Sequence, residues 1–215
     1  MDLIDPKHLE LINKAIAKLS ENGPYGRRST MLSFGKKNTL PPVIKELFER
    51  FDRDMIELPG REFKWLPEYD EVVDWLVDNE GKGLFMYGNC GRGKSIMVNA
   101  IKTMFFAVGL QLHGFHASLL PYKSPIYDNW NYELYKKWKC SYIDELGTER
   151  MVNDYGEKFE PFTEIINIAE QELNILVISS NLTADQFLQR YGNRSMDRVR
   201  RLCKAVEFKG ESLRP

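Results

Sequence analysis

The 215 residues of this chain fit one domain, or one domain with a small appendage, and 43% hydrophobic residues are enough for a buried core. The formal net charge of −1 excludes a uniformly basic nucleic-acid coat, so any nucleic-acid contact must come from a local patch. No apolar run reaches membrane-spanning length, and the first residues lack a basic-then-apolar export signal. Cys90, Cys140 and Cys203 have no metal-like spacing and are typical of reduced thiols. We therefore expect a cytoplasmic protein.

The N-terminal part of the chain is predicted to be helical and loosely connected. Apolar residues at helical spacing predict helices over about 5–19 and 43–55. Between them, residues 23–42 are rich in Gly, Ser, Lys and Arg, which favours a linker or a mobile arm. A third helix is predicted over 68–79. We accordingly divide the chain into a helical extension with its linker, residues 1–60, and a main domain at 61–215.

The main domain shows a regular alternation of short apolar runs and helical patterns. The predicted strands are 83–87, 110–116, 139–144 and 174–179, and the predicted helices are 94–107, 129–137, 159–171 and 183–190. Such alternation predicts a parallel sheet with helices on both faces, which is an α/β fold of three layers.

The sequence GNCGRGKS, from Gly88 to Ser95, follows the first predicted strand and precedes a helix, which is the context that a phosphate-binding loop requires. Its glycines let successive backbone N–H groups face a polyphosphate. Lys94 can reach the β- and γ-phosphates, and the Ser95 hydroxyl can ligate Mg²⁺. We expect ATP to contact Gly88, Asn89, Cys90, Gly91, Arg92, Gly93, Lys94, Ser95 and Ile96.

Two adjacent carboxylates, Asp144 and Glu145, come at the end of the strand predicted over 139–144. Like charges this close repel one another unless a cation is near, which favours a metal site over a structural pair. Asp144 would hold Mg²⁺, in part through water, and Glu145 would orient the attacking water or accept its proton. An ordinary strand followed by an acidic turn is the alternative explanation.

Asn181 follows the next predicted strand, at its carboxyl end. A neutral amide at this position could contact the γ-phosphate or the attacking water. The sequence Asn181-Leu182-Thr183 also opens a helix, so an N-terminal helix cap is an equally simple explanation for this residue.

Several segments together resemble the AAA+ ATPases of the DnaC, DnaI and IstB type. These segments are Ile143–Glu149, Asn153–Gly156, the stretch from Ile178 to Leu202 that contains ISSNLTADQF and RYGNRSMDRVRRL, and Lys209–Arg214. The resemblance covers about residues 60 to 215. It implies an AAA+ core, an αβα P-loop ATPase with a five-stranded parallel sheet, with a reduced lid because few residues follow Asn181. Many members of this family have two aspartates where this chain has Asp144-Glu145.

The same resemblance implies roles for further residues. Asn181 would be the first sensor, and Arg214 the second sensor, touching the ATP of its own subunit. Arg198 would be the arginine finger that reaches the γ-phosphate of a neighbouring subunit, with Arg194 close by. Arg194 and Arg198 are four residues apart and so share a helix face. A solvated basic helix is the alternative.

The family resemblance also implies a function. It indicates an ATPase that converts ATP and water to ADP and phosphate with Mg²⁺, self-associates through the ATP site, and acts on a replicative DNA helicase and single-stranded DNA. An IstB-like transposition helper with the same ATPase is one alternative. A small-molecule kinase with a phosphate loop and a nucleotide-dependent binding module without turnover are two others.

A second surface carries aromatic residues interleaved with lysines, between residues 121 and 139. This composition suits stacking on unpaired bases together with neutralisation of the phosphate backbone. The candidate DNA-binding residues are Lys123, Trp130, Lys136, Lys137 and Trp138. Helical spacing of the aromatic residues predicts the alternative, in which they pack on the sheet.

Overall fold

The computed structural model describes residues 31–52, 62–122, 129–154 and 157–214, and it describes only the backbone within 121–132 and 152–159. Its helices and strands, numbered in chain order, are α1 (Leu40–Phe51), α2 (Pro67–Val77), β1 (Gly83–Gly88), α3 (Lys94–Ala107), β2 (His113–His116), α4 (Asn129–Lys137), β3 (Cys140–Leu146), β4 (Val152–Asp154), β5 (Glu157–Phe159), α5 (Pro161–Glu172), β6 (Ile175–Ser180), α6 (Ala184–Leu202) and β7 (Cys203–Phe208). The helix predicted over 5–19 lies outside the described residues.

Five parallel strands form the central sheet in the order β2-β3-β6-β1-β7. Strands β4 and β5 form a separate antiparallel pair. Strand β6, at the centre of the sheet, is buried along its whole length, as expected where helices cover both faces. All five carboxyl ends therefore meet at one edge, which is where α/β proteins bind their ligands.

The helices form one layer on each face of this sheet, and the pleat of the strands determines which side chains each layer covers. Leu84 and Met86 of β1 pack in a cluster with residues of α1, α2 and α3. Phe85, between them, packs in the opposite cluster with residues of α5 and α6. The predicted three-layer αβα architecture is confirmed.

The segment expected to be a linker is partly built into the core. Within residues 31–42, the side chains of Leu32, Phe34 and Leu40 are buried in the cluster that contains α2 and α3. The backbone also joins them, because Phe34 N donates to Leu76 O at 2.8 Å. The linker prediction is therefore wrong for residues 31–42, where three apolar side chains outweigh the flexible composition around them. The division at residue 60 remains a prediction.

The last strand of the sheet, β7, was missed by the sequence analysis. It follows α6 without a turn signal, and its exposed positions alternate with buried ones because it lies at the edge of the sheet. Helix α6 is also longer than the predicted 183–190, since it continues after a break at Gly192, where φ is 77° and ψ is 170°. The other predicted helices and strands of the main domain are present, with ends shifted by a few residues.

Candidate nucleotide-binding and catalytic site

The phosphate loop joins β1 to α3 in the geometry that its glycines permit. Gly88, Gly91 and Gly93 have φ values of 111°, 73° and 82°, in the region that other residues rarely adopt. Gly93 is the N-terminal cap of α3, and no described side chain caps this helix end. The first N–H groups of α3 thus lack a helical acceptor and, with the helix dipole, form a site suited to an anion.

Lys94 is folded over this loop. Its Nζ donates hydrogen bonds to the carbonyl oxygens of Gly88 at 2.9 Å and Asn89 at 2.6 Å, and the residue is 5% exposed. Burial lowers the pKa of Lys94 to about 8, and the positive charge of Arg214 also lowers it, whereas Glu145 and Asp144 act to raise it. A bound polyphosphate would supply the negative charge that favours the protonated amine.

The loop is braced from α2. Arg92 donates from Nε and Nη2 to the same Glu68 oxygen at 2.9 and 2.6 Å, and both side chains are largely buried. Tyr69 donates from its hydroxyl to the Arg92 carbonyl oxygen at 3.0 Å. The guanidinium of Arg92, which is predicted to contact ATP, is therefore held against α2. Arg92 thus contributes its backbone to the phosphate loop, and not its side chain.

The segment after β7 lies across the other side of the loop. Asn89 Nδ2 donates to Gly210 O at 2.8 Å, and Leu213 N donates to Gly91 O at 2.9 Å. A Cβ on Gly91 would overlap the Ser212 hydroxyl, so a glycine is required for this close approach. The contact brings the charge of Arg214 near Lys94. Residues 209–214 contain no helix.

The two carboxylates occupy an irregular end of β3. The pairing with β6 runs from Ile143 opposite Ile178 to Leu146 opposite Ser180, so β3 contains one extra residue there. Glu145 has a φ of 57°, which is unfavourable for a residue with a side chain by about 1 kcal/mol. Such a bulge redirects side chains at the end of a strand.

Ser179 of β6 links the two acidic residues. Its hydroxyl donates to Asp144 Oδ1 through a short hydrogen bond, and it accepts a hydrogen bond from Glu145 N at 2.9 Å. Ser179 is 1% exposed, so this link is rigid. Asp144 Oδ2 has no partner among the described residues and is available to an ion.

His116, at the end of β2, contacts Glu145 from the other side. The Nε2 atom of His116 lies 2.9 Å from Glu145 Oε2. The Nδ1 atom accepts a hydrogen bond from the Ser118 backbone N–H at 3.2 Å. In its neutral form the imidazole therefore has its proton on Nε2, which donates a hydrogen bond to the carboxylate. The sequence alone does not indicate a role for this residue, because only the pairing of β2 with β3 brings it beside Glu145.

Asn181 follows β6, which lies between β3 and β1 in the sheet. Met86 of β1 is opposite Ser179, so Asn181 lies level with the start of the phosphate loop and the end of β3. The side chain is exposed and has no hydrogen bond within the described residues. Thr183, rather than Asn181, caps α6 in a capping box with Gln186, which removes the helix-cap explanation for Asn181.

Arg194 and Arg198 lie together on the part of α6 after Gly192. Neither contacts the phosphate loop of its own chain among the described residues. Arg198 Nε instead donates to Glu170 Oε2 of α5 at 2.9 Å, and Arg194 is exposed. These two arginines therefore lie outside the group formed by Lys94, Asp144 and Glu145.

A buried ion-pair cluster, also missed by the sequence analysis, fixes the turn after Glu145. Arg190 donates to the carbonyl oxygens of Gly147 at 2.6 Å and Glu149 at 2.5 Å. Glu149 accepts hydrogen bonds from Gly147 N at 2.8 Å and from the Tyr191 hydroxyl. Burial raises the pKa of Tyr191, so its hydroxyl stays protonated and donates. The cluster joins the turn to α6.

The candidate DNA-binding residues are only partly described. Lys123 and the side chain of Trp130 lie outside the described residues. Trp138 stacks on His113 with ring centroids 5.1 Å apart and packs against the core cluster that contains α5 and α6. Trp138 is thus partly engaged inside the protein, while Lys136 and Lys137, at the end of α4, lie nearer the surface.

Solved structures of known proteins share the fold of this chain. The crystal structure of the DnaC helicase loader superposes with a TM-score of 0.52 at 15% identity, covering 95% of this chain and 100% of the loader. AMPPCP-bound DnaA from Aquifex aeolicus superposes with a TM-score of 0.51 at 16% identity, covering 69% of this chain and 49% of DnaA. No protein-family model and no curated protein sequence matches the chain. The fold of this chain is that of AAA+ P-loop ATPases.

In the part of the chain that the structure describes, no helix is both long and apolar enough to span a membrane.

Proposed function

We propose that the protein binds ATP with Mg²⁺ and hydrolyses it. The observation that carries this proposal is the convergence of a helix end without a side-chain cap, Lys94 and the bulged Asp144–Glu145 pair at one edge of the sheet. An anion site beside two carboxylates is unfavourable without a cation, and a metal-bound polyphosphate satisfies both halves.

The oxygen donors at this edge fit Mg²⁺, which prefers hard oxygen ligands and keeps some of its water. Ser95, in the first turn of α3, and Asp144, with Oδ2 available, are the residues that would hold the ion. When bound, the ion would supply charge neutralisation at the β- and γ-phosphates.

The chain's own groups account for the rest of the reaction. Lys94 and the amides of the loop hold the phosphates, and Asn181 orients the attacking water. The oxygen of that water bonds to the γ-phosphorus while Glu145 accepts the proton that the water loses. The bond between the γ-phosphorus and the β–γ bridging oxygen breaks at the same time. Ser179 holds the carboxylate of Asp144, and His116 holds that of Glu145.

Arg198 would act on the site of a second copy of the chain. The support for this is its position on α6, away from its own phosphate loop, and the family resemblance of the surrounding sequence. A guanidinium supplied by a neighbour neutralises charge that develops on the transferred phosphoryl group. Self-association then controls turnover.

Nucleotide affinity and phosphate release together test the ATPase proposal. Lys94→Ala should abolish binding of a fluorescent ATP analogue, and Glu145→Gln should bind it normally without releasing phosphate. Lys102→Ala, an exposed lysine of the same helix, is the matched control and should behave as wild type. Normal phosphate release by Glu145→Gln would refute the assignment of the base. Transfer of the γ-phosphate to an added acceptor instead of water would favour a kinase.

We further propose that the ATPase acts on a replicative DNA helicase and on single-stranded DNA. The support is the resemblance of residues 60 to 215 to the DnaC, DnaI and IstB type, together with the fold shared with a helicase loader. A helicase that co-sediments only with ATP present would support this function, whereas a transposase that does so would favour the IstB-like alternative.

The lysines at the end of α4 are the candidate DNA contact. Removing Lys136 and Lys137 together should weaken binding of a labelled oligonucleotide, measured by fluorescence anisotropy at low salt. Lys45→Ala/Lys82→Ala removes the same charge elsewhere and is the control. Equal losses in the two double variants would show that net charge alone matters.

A further inference from the structure

Glu170, on α5, bridges two arginines of α6. Its Oε2 atom accepts the hydrogen bond from Arg198 Nε at 2.9 Å, and its Oε1 atom lies 2.5 Å from Arg201 Nη2. The side chain of Glu170 is 29% exposed and that of Arg198 is 20% exposed. The pair is therefore partly shielded from solvent, and its geometry is better defined than that of an ion pair between fully exposed side chains.

The Arg198–Glu170 contact uses only one of the five donors of the guanidinium. Nε lies at the inner edge of the group, whereas the two terminal nitrogens form the fork that binds carboxylates and phosphates. The Nη1 and Nη2 atoms of Arg198 have no partner among the described residues. The two terminal nitrogens of Arg198 are thus available to a ligand while its Nε atom is held by Glu170.

This geometry differs from that of a carboxylate that withholds an arginine from its ligand. A withholding carboxylate would take the fork in a bidentate pair and compete with a phosphate. Here the second oxygen of Glu170 is directed to Arg201 instead. With two guanidinium groups and one carboxylate, the group keeps a net positive charge that favours an incoming anion.

We propose that Glu170 is a positioning residue for Arg198, which it holds so that the terminal nitrogens face the nucleotide of a neighbouring protomer. The proposal rests on the function proposed above for Arg198. An arginine side chain has many rotamers, and ordering it before the neighbour docks removes an entropic penalty from the catalytic step. Glu170 touches no reacting atom, and its effect is transmitted through Arg198.

Mixtures of two variant protomers test the proposal, because one protomer then binds the ATP and the other supplies Arg198. Arg198→Ala protomers bind ATP but lack the guanidinium, and Lys94→Ala protomers supply the guanidinium but bind no nucleotide. An equal mixture should recover turnover at the mixed interface. The Lys94→Ala protomer is the donor protomer, because it supplies the guanidinium. Adding Glu170→Ala to this donor protomer should reduce the recovered turnover roughly tenfold, with an unchanged KM for ATP.

Two further variants of the donor protomer control for structural damage. Glu172→Ala removes a carboxylate from the same helix that has no described contact with Arg198, and it should leave the recovery intact. Glu170→Gln keeps an oxygen that can accept from Nε, and it should lose roughly threefold because the charge is gone. If Glu170→Ala does not fold, as judged by thermal unfolding, the isosteric Glu170→Gln donor decides.

The outcomes separate the two proposals. If the Lys94→Ala donor gives no recovery with Arg198→Ala, the proposed role of Arg198 is wrong, and the role of Glu170 is lost with it. If that donor gives recovery and the Glu170 variants give the same amount, only the positioning role of Glu170 is refuted. Loss of recovery with Glu170→Ala, with the Glu172→Ala donor unaffected, supports it.

Discussion

Glu145 is held between two strands, because it accepts a hydrogen bond from His116 Nε2 at 2.9 Å and its own N–H donates to Ser179 at 2.9 Å. The imidazole comes from β2 and the hydroxyl from β6, on either side of β3. His116 thus holds the carboxylate, and Ser179 holds the backbone of Glu145, whose φ is 57°. One hydrogen bond to the carboxylate and two constraints on the backbone thus restrict the orientation of this residue.

His116→Ala should therefore slow turnover without weakening nucleotide binding. We expect kcat to fall roughly three- to tenfold while the Kd for ATP stays the same, because the base loses orientation and not its charge. His116→Gln, whose amide can donate to Glu145, should recover part of the loss. His113→Ala, on the same strand but stacked on Trp138, is the control. An unchanged or higher kcat for His116→Ala would contradict this role.

Gly91→Ala and Gly109→Ala form a matched pair of backbone variants. Their φ values are 73° and 74°, so both substitutions carry the same backbone penalty of about 1 kcal/mol. A Cβ at Gly109 has no heavy atom within 4 Å, whereas at Gly91 it would overlap Ser212. In urea, Gly91→Ala should lose more stability than Gly109→Ala because of this overlap, and only Gly91→Ala should lose affinity for ATP. Equal affinities would show that the segment 209–214 has no part in binding.

Arg190→Ala should be strongly destabilising. The side chain of Glu149 is completely buried, and removal of Arg190 leaves its charge unpaired, which we expect to lower the free energy of unfolding by about 3 kcal/mol. Arg200→Ala, an exposed residue of the same helix, should change it by less than about 0.5 kcal/mol. Urea unfolding measures both, and similar values for the two variants would argue against the cluster.

The cysteines should differ sharply in reactivity. Burial raises the pKa of both Cys140 and Cys203 to about 12, so at pH 8 these thiols remain protonated as well as inaccessible. Cys90 is exposed in the phosphate loop. A thiol reagent should modify one cysteine rapidly in native protein and three after unfolding, and Cys90→Ser should remove the rapid phase. ATP should slow that phase, and a lack of protection would place the nucleotide elsewhere.

The helices and strands whose sequence signals are local could be predicted from the sequence. The helix over 94–107 was predicted with the limits that the structure has, because it begins at the phosphate loop and carries apolar residues at helical spacing. The parallel sheet followed from the alternation of strands and helices. Strand β7 was missed because its pattern is that of an edge strand and no turn separates it from α6.

The site itself divides in the same way. Lys94, Asp144 and Glu145 could be named as candidate site residues because a glycine-rich loop and paired carboxylates are visible within a few residues of sequence. His116, Ser179 and Glu170 could not, since an isolated histidine, serine or glutamate carries no signal until a neighbouring strand or helix gives it a partner.

The sequence by itself determined the candidate phosphate-binding groups and the order of the strands and helices along the chain, because hydrophobic period and turn chemistry act over short distances. Only the tertiary structure decided which strands are neighbours, and therefore which side chains hold Glu145 in place. That choice depends on contacts between residues far apart in sequence, such as His116 and Glu145, which are 29 positions apart. Long-range pairing of this kind is fixed by burial of the whole core and not by any local pattern.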